Sequence, residues 1–323
     1  MSKAFVVHGT GGPEVMQLED REVLEPGPGE LKIRNRAIGL NFVDTYQRSG
    51  QYKLALPFVP GNEGAGEVLA VGEGVTDFRP GDRVGYTGPV GAYAEERLLP
   101  AGRAVRLPDG IDYDTAAAVM LKGGTAQYLL FETHAVKAGE TILVHAAAGG
   151  VGSILAQWAT ALGVRVIGTA GSDDKVALAR SSGCDPAINY RTEDWVKLVR
   201  DATGGRGVDV VYDGVGKATW DGSLDCLRQR GLMVSYGSAS GYVTIPNLGV
   251  LASKGSLYVT RPTMGHYHAT PEEFRRSMAA TFDALLSGKM KLAINQRFAL
   301  TDAVAAHRAL EARETTGSSL LIP

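Results

Sequence analysis

The chain has 323 residues, 33 Lys and Arg against 35 Asp and Glu, and a formal charge of −2. That length predicts about two domains. The near-neutral balance, without a basic arm or a run of like charge, argues against a nucleic-acid or anionic-membrane surface. No apolar stretch reaches about 18 residues, which argues against a membrane-spanning helix. Two cysteines, Cys184 and Cys226, supply neither a disulfide framework nor a four-cysteine zinc site, so a soluble cytoplasmic protein is the expectation.

Forty-two glycines, about 13% of the chain against about 7% on average, are unevenly spread. Residues 1–122 read as short strands between Gly/Pro turns: Ala4–Val7, Leu31–Ile38, Gly66–Val71, Arg83–Tyr86 and Tyr93–Leu99, with one helix at Phe42–Ser49. Frequent turn signals between short apolar runs predict a β-barrel or sandwich. Residues 123–260 alternate strand and helix: Thr141–Ala146, Val151–Leu162, Arg165–Thr169, Asp173–Ser182, Ala187–Tyr190, Glu193–Ala202, Val208–Tyr212, Ala218–Leu227 and Leu232–Tyr236. This rhythm predicts a Rossmann-type doubly wound parallel sheet in an α/β fold. In the segment 261–323, amphipathic helices are expected at Pro271–Leu286 and Thr301–Arg313, and a closing strand at Ser319–Ile322.

The sharpest motif is His145-Ala146-Ala147-Ala148-Gly149-Gly150-Val151-Gly152-Ser153, between a strand and a helix. Small residues there let backbone N–H groups approach a pyrophosphate at a helix N-terminus. Its Ala146, Gly149 and Gly152 depart from G-x-G-x-x-G at the outer positions. About 20 residues on, no carboxylate ends the second strand. Ser172 and Lys175 follow it instead, with Tyr190 at the end of the third. A hydroxyl and an ammonium suit a ribose 2′-phosphate, which favours NADPH over NADH. Asp173 and Asp174 weigh against that choice, unless they only complement the helix dipole. Lys175 also reads as a solvated helix residue. His266 and His268 form a pair with no third ligand nearby and read as a surface loop.

Several segments together carry a closer likeness. They are Asn41-Phe42-Val43-Asp44-Thr45-Tyr46, Gly61-Asn62-Glu63-Gly64, Leu121-Lys122-Gly123, Tyr212-Asp213-Gly214-Val215-Gly216, Val259-Thr260-Arg261-Pro262 and Thr315-Thr316-Gly317-Ser318. Over essentially its whole length the chain resembles the zinc-free NADPH:quinone oxidoreductases, related to zeta-crystallin, of the medium-chain dehydrogenase/reductase superfamily. In zinc-dependent relatives the histidine of a Gly-His-Glu motif binds the metal; here Asn62 stands in its place, and Asn41 replaces a cysteine ligand. No metal site is expected.

The resemblance implies a GroES-like β-barrel domain over 1–122, a Rossmann domain over 123–260, and a segment 261–323 that returns to the first. It implies a homodimer with NADPH in the cleft between the domains and a quinone as substrate. By position, Asn41, Tyr46 and Thr125 would line the nicotinamide. Gly149, Gly150, Val151, Ser172, Lys175 and Tyr190 would hold phosphates and ribose, with Ser238 and Ser318 as further cofactor contacts. Tyr52 and Arg261 would border the substrate, and Asn41, Tyr46 or Arg261 would stabilise a developing oxyanion. Reduction of an activated C=C bond on the same fold is the rival reading. A non-catalytic NADPH-binding protein with a structural or RNA-binding role is a third.

Overall fold

The computed structural model describes all 323 residues, in two compact units. Unit one comprises Met1–Gly124, Ala269–Leu286 and Leu292–Pro323; unit two comprises Thr125–His268 and Ser287–Lys291.

Unit one is built on a seven-stranded sheet. Its order is Ile294–Ala299, Ser318–Ile322, Glu30–Leu40, Glu63–Val71, Arg83–Thr87 and Ala104–Arg106, with Glu96–Pro100 pairing Glu30–Leu40 off that path. Only the first two strands pair parallel. Strand Glu30–Leu40 alternates buried Leu31, Ile33 and Asn35 with more exposed neighbours, the period-2 pattern of a sheet with one face on a core. That core gathers Leu31, Ile33, Ile38, Val68, Val84 and Leu99. The buried Asn35 is satisfied: its amide donates to Ala94 O at 2.7 Å and accepts from the Tyr86 hydroxyl at 2.6 Å. This is the β-rich unit that the frequent turn signals predict.

Unit two is a six-stranded parallel sheet. Its order is Cys184–Asn189, Arg165–Ala170, Thr141–Val144, Val208–Asp213, Leu227–Ser235 and Tyr258–Thr260. The chain reverses its direction of winding between Thr141–Val144 and Val208–Asp213, the switch point at which such sheets bind ligands beyond the strand C-termini. Strands Thr141–Val144 and Val208–Asp213 are buried at every residue, as a sheet covered on both faces requires.

The structure adds elements that periodicity hides. Tyr113–Tyr128 is a 16-residue helix that carries Gly123 and Gly124, residues of low helix propensity, in its interior. A Cβ on Gly123 would stand 2.5 Å from the Thr281 methyl, so that glycine permits close approach of helix Pro271–Leu286. Strands Tyr258–Thr260 and Ile294–Ala299 also escaped, the first because three residues carry no period. His268 corrects a further expectation. It is fully buried, edge-on to the Tyr128 ring at 6.4 Å, rather than on a surface loop; His266 is exposed.

Candidate functional site

In unit one, the strand Glu30–Leu40 ends at Asn41, the N-cap of helix Phe42–Arg48. The Asn41 backbone N–H donates to the Asp44 carboxylate at 2.9 Å, the return bond of a capping box. The Asn41 side-chain Nδ2 donates to Glu63 Oε1 at 2.8 Å and, more loosely, to Gly39 O at 3.4 Å. Both amide hydrogens therefore point at protein oxygens, which leaves Asn41 no donor for a substrate oxyanion in this arrangement.

Glu63 is the hub behind Asn41. It is fully buried, pairs with Lys122 Nζ at 2.6 Å, and accepts the Leu121 N–H at 2.6 Å. Lys122 and Leu121 lie on helix Tyr113–Tyr128. The packing is tight: a Cβ on Gly39 would fall 2.2 Å from Glu63 Oε1 and 2.4 Å from Ala117 O. Ser318 reaches the same helix, donating its hydroxyl to Ala118 O at 3.2 Å.

On the next face of the short helix, Asp44 is buried and bonded by Asn62 Nδ2 at 2.6 Å and the Tyr93 hydroxyl at 3.0 Å. Burial outweighs these bonds and raises its pKa to about 6. Tyr93 also meets His307 Nε2 at 3.0 Å, and His307 Nδ1 meets Arg48 at 3.0 Å. Burial first, then the Arg48 charge, pushes His307 down to about 3. Tyr46 and Tyr52 stack edge to face with centroids 5.3 Å apart, Tyr46 buried and Tyr52 half-buried. The structure thus groups Asn41, Tyr46 and Tyr52 on one helix and its following loop. Glu63, Lys122, Asp44, Asn62, Tyr93 and His307 were not anticipated as their supports. The available signal was charge inside apolar strand and helix patterns.

In unit two, the strand Thr141–Val144 runs into the turn whose Gly149 caps helix Gly150–Ala161. The first helical bond is Ser153 N–H to Gly149 O at 2.9 Å, so the N–H groups of Gly150, Val151 and Gly152 precede it. A Cβ on Gly152 would sit 2.3 Å from Ala146 O. This cradle closes only around glycine and presents N–H groups with the positive end of a 12-residue helix. Such an arrangement suits a pyrophosphate.

The next strand, Arg165–Ala170, delivers Ser172 to the cap of helix Asp173–Ser181, where its Oγ accepts the Lys175 N–H. Tyr190 joins them: a Cβ on Gly171 would lie 2.6 Å from its hydroxyl. Asp173, which weighed against a 2′-phosphate, accepts the Asn189 amide at 2.7 Å. Thr125 is buried on the last turn of helix Tyr113–Tyr128. Past the strand Leu227–Ser235, Arg261 donates to Ser235 O at 2.7 Å, Gly237 O at 2.9 Å and Ser238 Oγ at 3.1 Å, so Arg261 and Ser238 form one group.

Two family models match this chain: the alcohol dehydrogenase GroES-like domain over residues 27–109 and the zinc-binding dehydrogenase over residues 150–283. A quinone oxidoreductase of Pseudomonas aeruginosa is 54% identical over the full length of both chains. The Escherichia coli quinone oxidoreductase complexed with NADPH is 48% identical, with a TM-score of 0.97 over 99% of this chain and 100% of that one. A 2-haloacrylate reductase of Burkholderia is 46% identical over 100% of this chain and 99% of its own. The residues here do not suit the zinc that the second model's description names. No group of three or more His, Cys, Asp or Glu side chains is gathered to hold an ion, and the amides of Asn41 and Asn62 are bonded to Glu63 and Asp44.

Proposed function

Because this chain belongs to the quinone oxidoreductase family, we propose that it reduces quinones at the expense of NADPH. The observation that carries this reading is the glycine cradle at Gly149–Gly152 followed, after the next strand, by Ser172, Lys175 and Tyr190 instead of a carboxylate. NADPH supplies the reducing equivalents when bound. The N–H groups of Gly150 and Val151 hold its pyrophosphate, and Ser172, Lys175 and Tyr190 hold the 2′-phosphate and its ribose. Asn41, Thr125, Ser238 and Ser318 position the cofactor. Ser318 and Asn41 do so through the backbone and carboxylate they bond rather than by donating to the reacting ring. Tyr46 and Tyr52 face the quinone and shed water from it, and Arg261 borders it while fixing Ser238. No metal takes part. The protein acts as a homodimer in the cytoplasm.

The 46% identity to a 2-haloacrylate reductase favours one second reading, reduction of an activated C=C bond. Steady-state NADPH oxidation with a benzoquinone, a naphthoquinone, a simple enone and 2-chloroacrylate separates the two. The quinones are expected to turn over fastest. A higher kcat/KM for the enone or the haloacrylate overturns the quinone reading.

A further inference from the structure

At the other end of the parallel sheet of unit two, where strands Val208–Asp213 and Leu227–Ser235 begin, lies an open cavity of about 670 Å³. Its lining is strongly biased: Arg200, Arg206, Arg228, Arg230 and Lys254 contribute, and no carboxylate does. Clustering five cations costs self-repulsion that a chain of net charge −2 has no general reason to accept.

Two carboxylates make ion pairs with them, and Glu140 acts on Arg206 from further away. The buried Asp209 holds Arg206 Nη2 at 2.8 Å and Arg228 Nε at 2.6 Å, and Asp225 pairs with Lys254. Burial works against ionising Asp209, but the bonds from Arg206, Arg228 and the Thr141 N–H prevail and bring its pKa down to about 2. It therefore acts as a fixed anchor that aims two guanidinium groups. Arg200 reaches only the Leu227 carbonyl at 3.4 Å, and Arg230 makes no ion pair. Five cations against two ion-paired carboxylates leave the opening net positive.

The backbone is built to hold this cluster. Arg230 adopts φ 57°, a left-handed conformation that bulky residues rarely take, and its N–H is pinned to Gly255 O at 2.8 Å. Gly207, at φ 89°, lies so close to the 226–228 backbone that a Cβ would meet three of its atoms at 2.7 Å. The end of helix Trp195–Ala202, the turn that follows it, the start of strand Leu227–Ser235 and the turn at Lys254 thereby set their cationic side chains around one opening. Planar guanidinium forks match phosphoryl oxygens bidentately, and several of them in one rigid pocket select for multiple charge.

We propose that this cavity is a second anion site, distinct from the glycine cradle, that takes a phosphoryl-rich anion such as a free triphosphate or the polyphosphate of a nucleotide. The full-length protein, saturated with NADPH, is titrated calorimetrically with inorganic triphosphate and, separately, with a nucleoside triphosphate. Binding is expected to weaken at least tenfold in Arg200→Gln/Arg230→Gln and to stay within twofold in Lys175→Ala. Equal affinity for the two ligands identifies phosphate alone as the determinant, and tighter nucleoside triphosphate identifies a nucleotide; both support the site. Circular dichroism melts of the double variant verify folding, and each single variant, expected to lose at least threefold, stands in where the double does not fold. No binding at millimolar ligand, binding unchanged in the arginine variants, or binding lost in Lys175→Ala but kept in the arginine variants overturns the proposal.

Discussion

Lys122→Met is the sharpest probe of the support behind Asn41. Glu63 is fully buried and accepts three donors, Lys122 Nζ at 2.6 Å, the Leu121 N–H at 2.6 Å and Asn41 Nδ2 at 2.8 Å. At an effective dielectric near 20 the ion pair is worth roughly 6 kcal/mol of attraction. Desolvating the two charges costs several kcal/mol each, so the intact pair adds little net stability. Removing the ammonium alone is different. It leaves a carboxylate in the interior with two neutral donors, at a cost of about 3–5 kcal/mol. For a unit of this size that lowers Tm by roughly 6–20 °C. Adding Glu63→Gln removes the stranded charge while a side-chain oxygen still accepts from Asn41. The double variant is therefore expected to recover at least about 2 kcal/mol over Lys122→Met. Urea unfolding of the two single variants and the double measures that coupling. If the double is as unstable as the sum of the singles, the pair is not an isolated buried unit and the reasoning fails. Kinetics add a second readout. The double variant should recover kcat together with stability, because it removes the stranded charge while the Asn41 amide keeps a side-chain oxygen to donate to.

Lys175→Ala should raise KM for NADPH at least tenfold and leave KM for NADH within about twofold; equal changes would refute the 2′-phosphate role. Gly152→Ala, whose Cβ would stand 2.3 Å from Ala146 O, should weaken NADPH and NADH binding alike by at least tenfold, measured by nicotinamide fluorescence. Unchanged affinity would mean that the cradle does not hold the pyrophosphate. Two buried groups oppose each other in acid. Asp44, raised from 3.8 to about 6, binds its proton more tightly when folded, so its contribution is complete below pH 3.8 and is lost as pH rises through 6. His307, lowered from 6.5 to about 3, contributes above pH 6.5 and loses that contribution as pH falls toward 3. Between pH 6 and 4 the two slopes have opposite signs. Asp44→Asn should therefore steepen the loss of Tm on acidification from pH 6 to 4, and a slope equal to that of the unsubstituted protein would rule out the opposition.

What the sequence discloses depends on whether a residue's reason is local. Strand–helix alternation over residues 123–260 and the cradle around Gly149 are local, since a strand, a small-residue turn and a helix cap occupy one short stretch. The helix Tyr113–Tyr128 was hidden because the reason for Gly123 sits on Thr281, far along the chain. The functional side chains divide the same way. The capping bond of Asn41 is local, because its partner Asp44 is three residues on. That its amide is turned onto Glu63 depends on Lys122, two elements away, and no pattern of spacing reports it. The basic cavity is the extreme case. Arg200, Arg206, Arg228, Arg230 and Lys254 are scattered over more than fifty residues of near-neutral sequence. Only the parallel sheet, by setting the starts of adjacent strands side by side, converts them into one field. The overall charge that argues against a polyanion surface is thus an average over the chain, and an average does not bind ligands.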